Sequence, residues 1–166
     1  MKKTAFFILA AAAVCVFAFA GCTDDMTIES GTAADGREYG QIYDIDEYDE
    51  GSYLVPYEIV TDSTMGKLMI QKYCLASVKI EKTSDGITLT LYSTDTTMMS
   101  NGRMVGADGT DIVGASVSED GYDGFEFDID REALDGQIDI KFYINMMSRD
   151  TQFGIVPDLT QAKLTR

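Results

Sequence analysis

Histidine is absent from the 166 residues of this chain. That absence excludes zinc sites built on histidine, Ser-His-Asp and Cys-His catalytic arrangements, and haem ligated by histidine. No nucleophile is paired with a base among the remaining side chains, and the glycine-rich stretch 106–114 lacks the lysine of a phosphate-binding loop. We therefore do not expect an enzyme.

Cysteine is scarce, with three residues in the chain. Cys15 and Cys22 belong to the N-terminal apolar segment, which leaves Cys74 alone in the rest of the chain. No intramolecular disulfide can form there. The neighbours Tyr73 and Leu75 favour a buried, unreactive thiol at this position over a reactive one.

Positively charged residues are also few. The chain has 13 lysines and arginines and 28 aspartates and glutamates, which gives a net charge of −15. Such a chain is a poor nucleic-acid binder. Five acidic residues cluster within 44–50 (Asp44, Asp46, Glu47, Asp49 and Glu50) and suggest a calcium site. Their spacing does not match an EF-hand loop, and a solvated strand edge is the interpretation we favour.

Residues 1–22 have the composition of a secretory signal peptide, with Lys2 and Lys3 before an apolar run. The end of this segment, residues 19–22, resembles a bacterial lipobox, in which the cysteine, here Cys22, becomes the lipidated first residue of the mature protein. Phe19 stands where leucine is usual, and an uncleaved N-terminal anchor is the alternative. A lipidated Cys22 would hold the protein at the extracellular face of the cell membrane.

The acidic segment 23–39 has no apolar period, and we interpret it as a flexible tether. A single domain is expected at residues 40–162. Alternation of apolar and polar residues predicts strands within this domain at 51–60, 76–82, 87–92, 111–118, 125–129 and 138–144. Met65, Leu68, Met69 and Tyr73 are spaced for a short helical turn after the first strand. Seven or eight short strands with frequent turns point to an all-β, immunoglobulin-like antiparallel sandwich.

The C-terminal part of the domain predicts a hairpin. Its first strand is 138–144, a polar break follows at 148–152, and a second apolar run begins at Phe153. Met146 and Met147 fall at the turn. Methionine fills gaps in cores, but its thioether is also a soft metal ligand.

The order of three motifs resembles the NEAT (near iron transporter) domains, which are haem-binding immunoglobulin-like sandwiches on Gram-positive cell surfaces. Residues 49–57 look like the family's "DGxYxVPY" start, and residues 85–91 look like its "NGKxYVTLTL" strand. The run from Val117 to Ile140 follows the order of its later strands. The resemblance covers about residues 40–160 and implies a surface haem-binding protein.

The family's haem signature, Tyr-x-x-x-Tyr on the last strand, is not kept. Arg149 and Phe153 occupy its two tyrosine positions. Either the domain has lost haem or another side chain ligates the iron. Strand parity groups Met147 with Arg149 and Phe153, and the family's helical turn here contains Met65 and Met69.

The resemblance therefore implies b-type haem with Met65 and Met147 as axial ligands, as in related NEAT-like proteins with two methionine ligands. Bis-thioether coordination favours ferrous iron. The candidate cofactor-binding residues are Met65, Met69, Tyr73, Phe142, Met146, Met147, Phe153 and Ile155. These residues would equally well fill a plain sandwich core.

The expected function is haem capture and transfer for iron acquisition by a lipid-anchored surface protein. Its partners would be haem and other surface haem-transfer proteins or a haem transporter. The alternative is an immunoglobulin-like protein-binding or adhesion module without a cofactor, which would bind through a sheet face or an edge strand.

Overall fold

The computed structural model describes residues 26–95 and 97–165. The predicted signal peptide, with the lipidation site Cys22, lies outside the described residues. Within the described residues, no helix is both long enough and apolar enough to cross a bilayer.

The elements follow one another as strands with one α-helix after the first strand, as predicted. The helix is α1 (Thr64–Tyr73). The strands are β1 (Gly51–Val60), β2 (Ser77–Thr83), β3 (Gly86–Ser93), β4 (Met99–Val105), β5 (Asp111–Val113), β6 (Ala115–Glu119), β7 (Tyr122–Ile129), β8 (Ile138–Ile144), β9 (Arg149–Pro157) and β10 (Lys163–Leu164). Short 3-10 turns lie at Arg131–Asp135, Asn145–Met147 and Leu159–Gln161.

All strand pairs are antiparallel, and the order β5-β4-β8-β9-β1-β2-β3-β7-β6 nearly closes on itself. β1 belongs to both halves of the sandwich. Its residues Gly51 to Pro56 pair with β2, whereas Tyr57 to Val60 pair with β9. Pro56 lies at this change of partner, where its missing N–H disturbs the ladder least.

The core lies between the two halves. In β8, every second side chain from Ile138 to Ile144 is buried, which is the alternation that the sequence predicts. Buried residues of β1, β2, β3, β4, β7, β8 and β9 form one continuous apolar cluster, and a second, smaller cluster contains Met26, Leu54, Leu75 and Tyr92. The predicted antiparallel β-sandwich is therefore confirmed.

β4 was not predicted, because turn-forming residues dominate the sequence 93–110. It nevertheless lies inside a sheet, between β5 and β8. Its register shifts between Ser100 and Arg103, and Asn101 adopts a positive φ of 53°. This bulge accommodates the turn formers within the strand.

Residues 26–39 differ from the predicted tether. Arg37 is buried, and its guanidinium donates hydrogen bonds to the Tyr53 hydroxyl and to the main-chain oxygen of Glu50. It also pairs with Asp35 and lies 3.9 Å from the ring centre of Tyr48. A buried cation is stable only when it has such partners, and the partners of Arg37 include residues of the domain. The segment that carries Arg37 is therefore packed on the sandwich.

Candidate functional site

α1 forms one wall of the candidate site. It begins after Ser63, whose side chain caps the helix by accepting a hydrogen bond from the Gly66 N–H at 3.0 Å. Ile70 anchors the helix in the core. Because each helical residue advances about 100°, Met65 and Met69 lie on one stripe to the side of Ile70.

The helix does not bury its whole apolar content. Met69 and Tyr73 pack against the core, whereas Met65 is 65% exposed and Leu68 is 55% exposed. Large apolar side chains that are exposed next to one another often mark a binding surface. Leu68 was not among the predicted site residues, although its spacing from Met65 placed it on the same helix.

The hairpin of β8 and β9 forms the second wall. Ile144 pairs with Arg149, and the turn between them is the 3-10 segment Asn145–Met147 closed by Ser148 in a left-handed conformation. Met146 is 72% exposed and Met147 is 41% exposed. The predicted methionine pair therefore lies at the turn with both thioethers outside the core.

Two details of the predicted hairpin are wrong. The polar segment 149–152 belongs to β9, not to a break in the strand. Strand parity also does not extend to Met147, because the 3-10 turn and the φ of 49° at Ser148 interrupt the alternation before Arg149. The position of Met147 is set by the turn.

The three remaining predicted site residues lie in the core. Phe142 and Phe153 stack with ring centres 6.0 Å apart, and Phe125 contacts Phe142 from the other sheet. Ile155 is fully buried beside them. In this structure their apolar surfaces pack against one another, so the exposed candidates are methionines on α1 and on the hairpin turn.

β1 brings α1 towards the hairpin. The strand runs antiparallel to β9, and its last pair joins Val60 to Gly154. Beyond Val60 the chain is heading along β9 towards Arg149, and no strand covers residues 149–153 of β9 on this side in the part of the chain that the structure describes. α1 starts four residues after that last pair.

The connection between β3 and β4 ties the two walls to each other. Thr94 donates its N–H to the main-chain oxygen of Tyr73, at the end of α1, at 2.9 Å. The side-chain amide of Asn145 donates to the main-chain oxygen of Thr97 at 2.8 Å, and its N–H donates to that of Met98 at 3.0 Å. The sequence did not predict this role of Asn145, because its local pattern singled out only the neighbouring Met146 and Met147 as candidate ligands.

Cys74 caps the end of α1 but offers no ligand. Its thiol is buried, and burial in an apolar setting raises its pKa to about 12. The thiolate that a metal would need is therefore strongly disfavoured. The predicted inert thiol agrees with this placement.

The acidic cluster 44–50 is not arranged as a metal site. Arg131 donates two hydrogen bonds to the carboxylate of Asp46, and the carboxylate of Asp44 accepts the N–H of Asp46 at 2.9 Å. Across residues 26–95 and 97–165, no three carboxylates or thiols are grouped to hold a metal ion.

Comparison with known proteins identifies the fold. No protein-family model and no curated protein sequence matches the chain. Among solved structures, it is similar to the NEAT5 domain of IsdX2, a B. anthracis hemophore in complex with haem, with a TM-score of 0.55 and 16% identity over 67% of this chain and 98% of that one. A variant of the same domain, also in complex with haem, gives a TM-score of 0.55 and 16% identity over 68% of this chain and 98% of that one.

Proposed function

We propose that this chain, which has the fold of NEAT domains, binds haem through Met65 and Met147 and takes part in haem capture and transfer for iron acquisition. The solved NEAT5 structures are haem complexes. Their likeness to this chain supports a haem site at the corresponding place in the fold. The lipid on Cys22 would hold the domain at the outer face of the cell membrane.

The observation that carries the proposal is the exposure of Met65 and Met147, on the two elements that the β3–β4 connection ties together. Both thioethers lie outside the core, so neither is needed for its packing. Thioether sulfur is a soft ligand that suits haem iron and favours its ferrous form. The donor set of the described residues therefore fits haem.

In this proposal each wall contributes one iron ligand and apolar contacts to the macrocycle. Met65 and Met147 bind the iron, and Leu68, Met69 and Met146 contact the apolar faces of the macrocycle. Haem supplies the iron that the protein carries. Because the exposed thioethers are weak ligands on short elements, the domain can release haem to an acceptor without unfolding its core.

Titration with haemin, followed by reduction with dithionite, tests the proposal. We expect haemin to give a Soret change and reduction to give a low-spin spectrum. Met147→Ala and Met65→Ala should each abolish the low-spin spectrum. Met146→Ala is the matched control, because it removes an exposed thioether one residue away that the proposal does not assign to the iron, and it should keep the low-spin spectrum.

Two outcomes would contradict different parts of the proposal. If the wild-type protein gives no Soret change, haem binding is wrong. If haem binds but Met147→Ala keeps the low-spin spectrum, methionine ligation at this position is wrong while haem binding stands.

A protein-binding module is the second candidate function. The sheet order ends at β5 and β6, and Ile112 and Val113 on β5 are exposed. Open strand edges with apolar side chains can add a strand from a partner. This alternative expects no haem uptake and loss of partner binding when Val113 is changed to Lys.

A further inference from the structure

The cations of this acidic chain are distributed unevenly. In the part of the chain that the structure describes, five cations form ion pairs with carboxylates (Arg37, Lys79, Arg103, Arg131 and Lys141). Lys82 donates to the main-chain oxygen of Ile45. Among residues 26–95 and 97–165, the cations without a carboxylate or main-chain oxygen partner are Lys67, Lys72, Arg149 and Lys163. Three of these four lie on the two walls of the candidate site.

Arg149 is the cation of the hairpin. It opens β9, and its side chain alternates with that of Asp150, so it shares the face of Thr151 and Phe153. Asp150 does not neutralise it, because the Asp150 carboxylate binds Arg103. Arg149 is exposed, and its guanidinium has no ion-pair or hydrogen-bond partner among the residues that the structure describes.

Lys72 is the cation of α1 on the stripe that carries the methionines. It lies seven residues after Met65 and three after Met69, which places all three on one side of the helix. Its ammonium group is 5.0 Å from the ring centre of Tyr73. α1 contains no aspartate or glutamate that could pair with it.

The β3–β4 connection forms hydrogen bonds with both of the elements that carry these two side chains. At one end of the connection, the Thr94 hydroxyl donates a hydrogen bond to the main-chain oxygen of Lys72 at 3.2 Å. At the other end, the main-chain oxygen of Thr97 accepts a hydrogen bond from Asn145. Asn145 directly follows Ile144, which pairs with Arg149. The three peptide units between Thr94 and Thr97 span at most about 11 Å. The two long cationic side chains therefore belong to elements that one short connection joins.

From this arrangement we infer that Arg149 and Lys72 bind the carboxylate groups of the ligand, so that the site recognises a planar apolar porphyrin by its acidic edge. The inference rests on the proposed haem binding and goes beyond it, because it concerns the porphyrin side chains and not the iron. A guanidinium matches a carboxylate with two parallel hydrogen bonds. These cations also offset the repulsion that a chain of net charge −15 exerts on a dianionic ligand.

Metal-free protoporphyrin IX and its dimethyl ester test the inference, with binding followed by porphyrin fluorescence. The diacid carries the carboxylates but no iron, and the ester carries neither. We expect Arg149→Gln and Lys72→Gln each to weaken diacid binding roughly 5-fold, the size of one exposed ion pair, and to leave ester binding unchanged. Added salt should weaken diacid binding by the wild-type protein.

Lys163→Gln is the matched control, because it removes an unpaired lysine on β10, away from both walls. It should bind the diacid as the wild type does, and equal melting temperatures for all variants would exclude a loss of fold. Arg149→Lys should keep part of the affinity because it keeps the charge.

The outcomes separate this inference from the proposed function. If haemin binds but Arg149→Gln binds the diacid as tightly as wild type, or if the ester binds as well as the diacid, the inference is overturned and haem binding stands. If neither haemin nor the porphyrins bind to the wild-type protein, the proposed function fails and the inference fails with it.

Discussion

The side-chain amide of Asn145 donates a hydrogen bond to the main-chain oxygen of Thr97 at 2.8 Å, and this contact joins the turn of the β8–β9 hairpin to the β3–β4 connection. The same connection donates two hydrogen bonds to the end of α1, from the Thr94 N–H to the Tyr73 oxygen and from the Thr94 hydroxyl to the Lys72 oxygen. The spacing of the two walls of the candidate site therefore depends on a segment that contributes none of the proposed ligands.

We expect Asn145→Ala to loosen the hairpin turn. The substitution removes the bond to Thr97 and the one that Asn145 accepts from Ser100 at 3.1 Å, and we expect a loss of about 1 kcal/mol in the free energy of unfolding. Amide hydrogen exchange at residues 145–149 should become faster, and haemin affinity should fall. Gln152→Ala, which removes another exposed amide from the hairpin, should leave the hydrogen exchange at residues 145–149 and the haemin affinity unchanged. If the two variants have equal effects, the role of Asn145 is contradicted.

Arg37→Ala tests whether residues 26–39 are an integral part of the fold. The change leaves the buried Tyr53 hydroxyl without its donor and removes the cation over Tyr48, so we expect about 2 to 3 kcal/mol of lost stability by urea unfolding. Arg131→Ala, whose ion pairs are exposed, should cost under about 1 kcal/mol. A wild-type stability for Arg37→Ala would mean that this segment is a tether after all.

Cys74 should be unreactive in the folded protein. With its pKa raised to about 12 by burial, only about one thiol in ten thousand is ionised at pH 8. Iodoacetamide followed by peptide mapping should leave Cys74 unmodified in buffer and modify it fully in guanidinium chloride. Labelling in buffer would show that the end of α1 opens. Cys74→Ala should leave the haem spectrum unchanged, because the thiol is not a ligand.

The Asp46–Arg131 pair should make a small, pH-dependent contribution to stability. The hydrogen bonds from Arg131 lower the pKa of Asp46 below its ordinary value of 3.8. The unfolded chain therefore binds this proton more readily, so the stabilisation is present above pH 3.8 and is lost as the pH falls through the lower, folded value.

We expect Asp46→Asn to lower the free energy of unfolding by about 0.5 kcal/mol near neutral pH, because the pair is exposed, and to have almost no effect near pH 2. Asp128→Asn is the control, since it removes one negative charge from an exposed strand position without breaking an ion pair. If the two variants behave alike across the pH range, the pair contributes nothing beyond net charge.

Much of the fold could be predicted from local pattern. The alternation in 138–144 predicts β8 because a two-residue period matches a strand with one buried face. Alternation also predicts the strands at 51–60 and 125–129, although residues 52–55 of β1 are buried on both faces. β4 could not be predicted in this way. Its glycine and asparagine are turn formers locally, and only the pairing of β4 with β5 and β8 holds them in a sheet.

The candidate site was predicted in part. The sequence identified α1 and the hairpin turn, and both carry exposed methionines. It could not separate Phe142 and Phe153, which stack in the core, from Met65 and Met147, which do not. Apolar residues at strand spacing look alike whether they contact a ligand or another sheet.

The sequence by itself determined which chemistry is possible: it has no histidine, its resemblance to NEAT domains puts Arg149 and Phe153 at the two tyrosine positions of the haem signature, and carboxylates outnumber cations. Only the tertiary structure decided which thioethers lie outside the core and which cations lack a partner. The physical reason is that burial and ion pairing depend on residues far apart in the chain. For example, Arg103 pairs with Asp150, 47 residues later in the chain, and Arg149 is therefore left without that carboxylate.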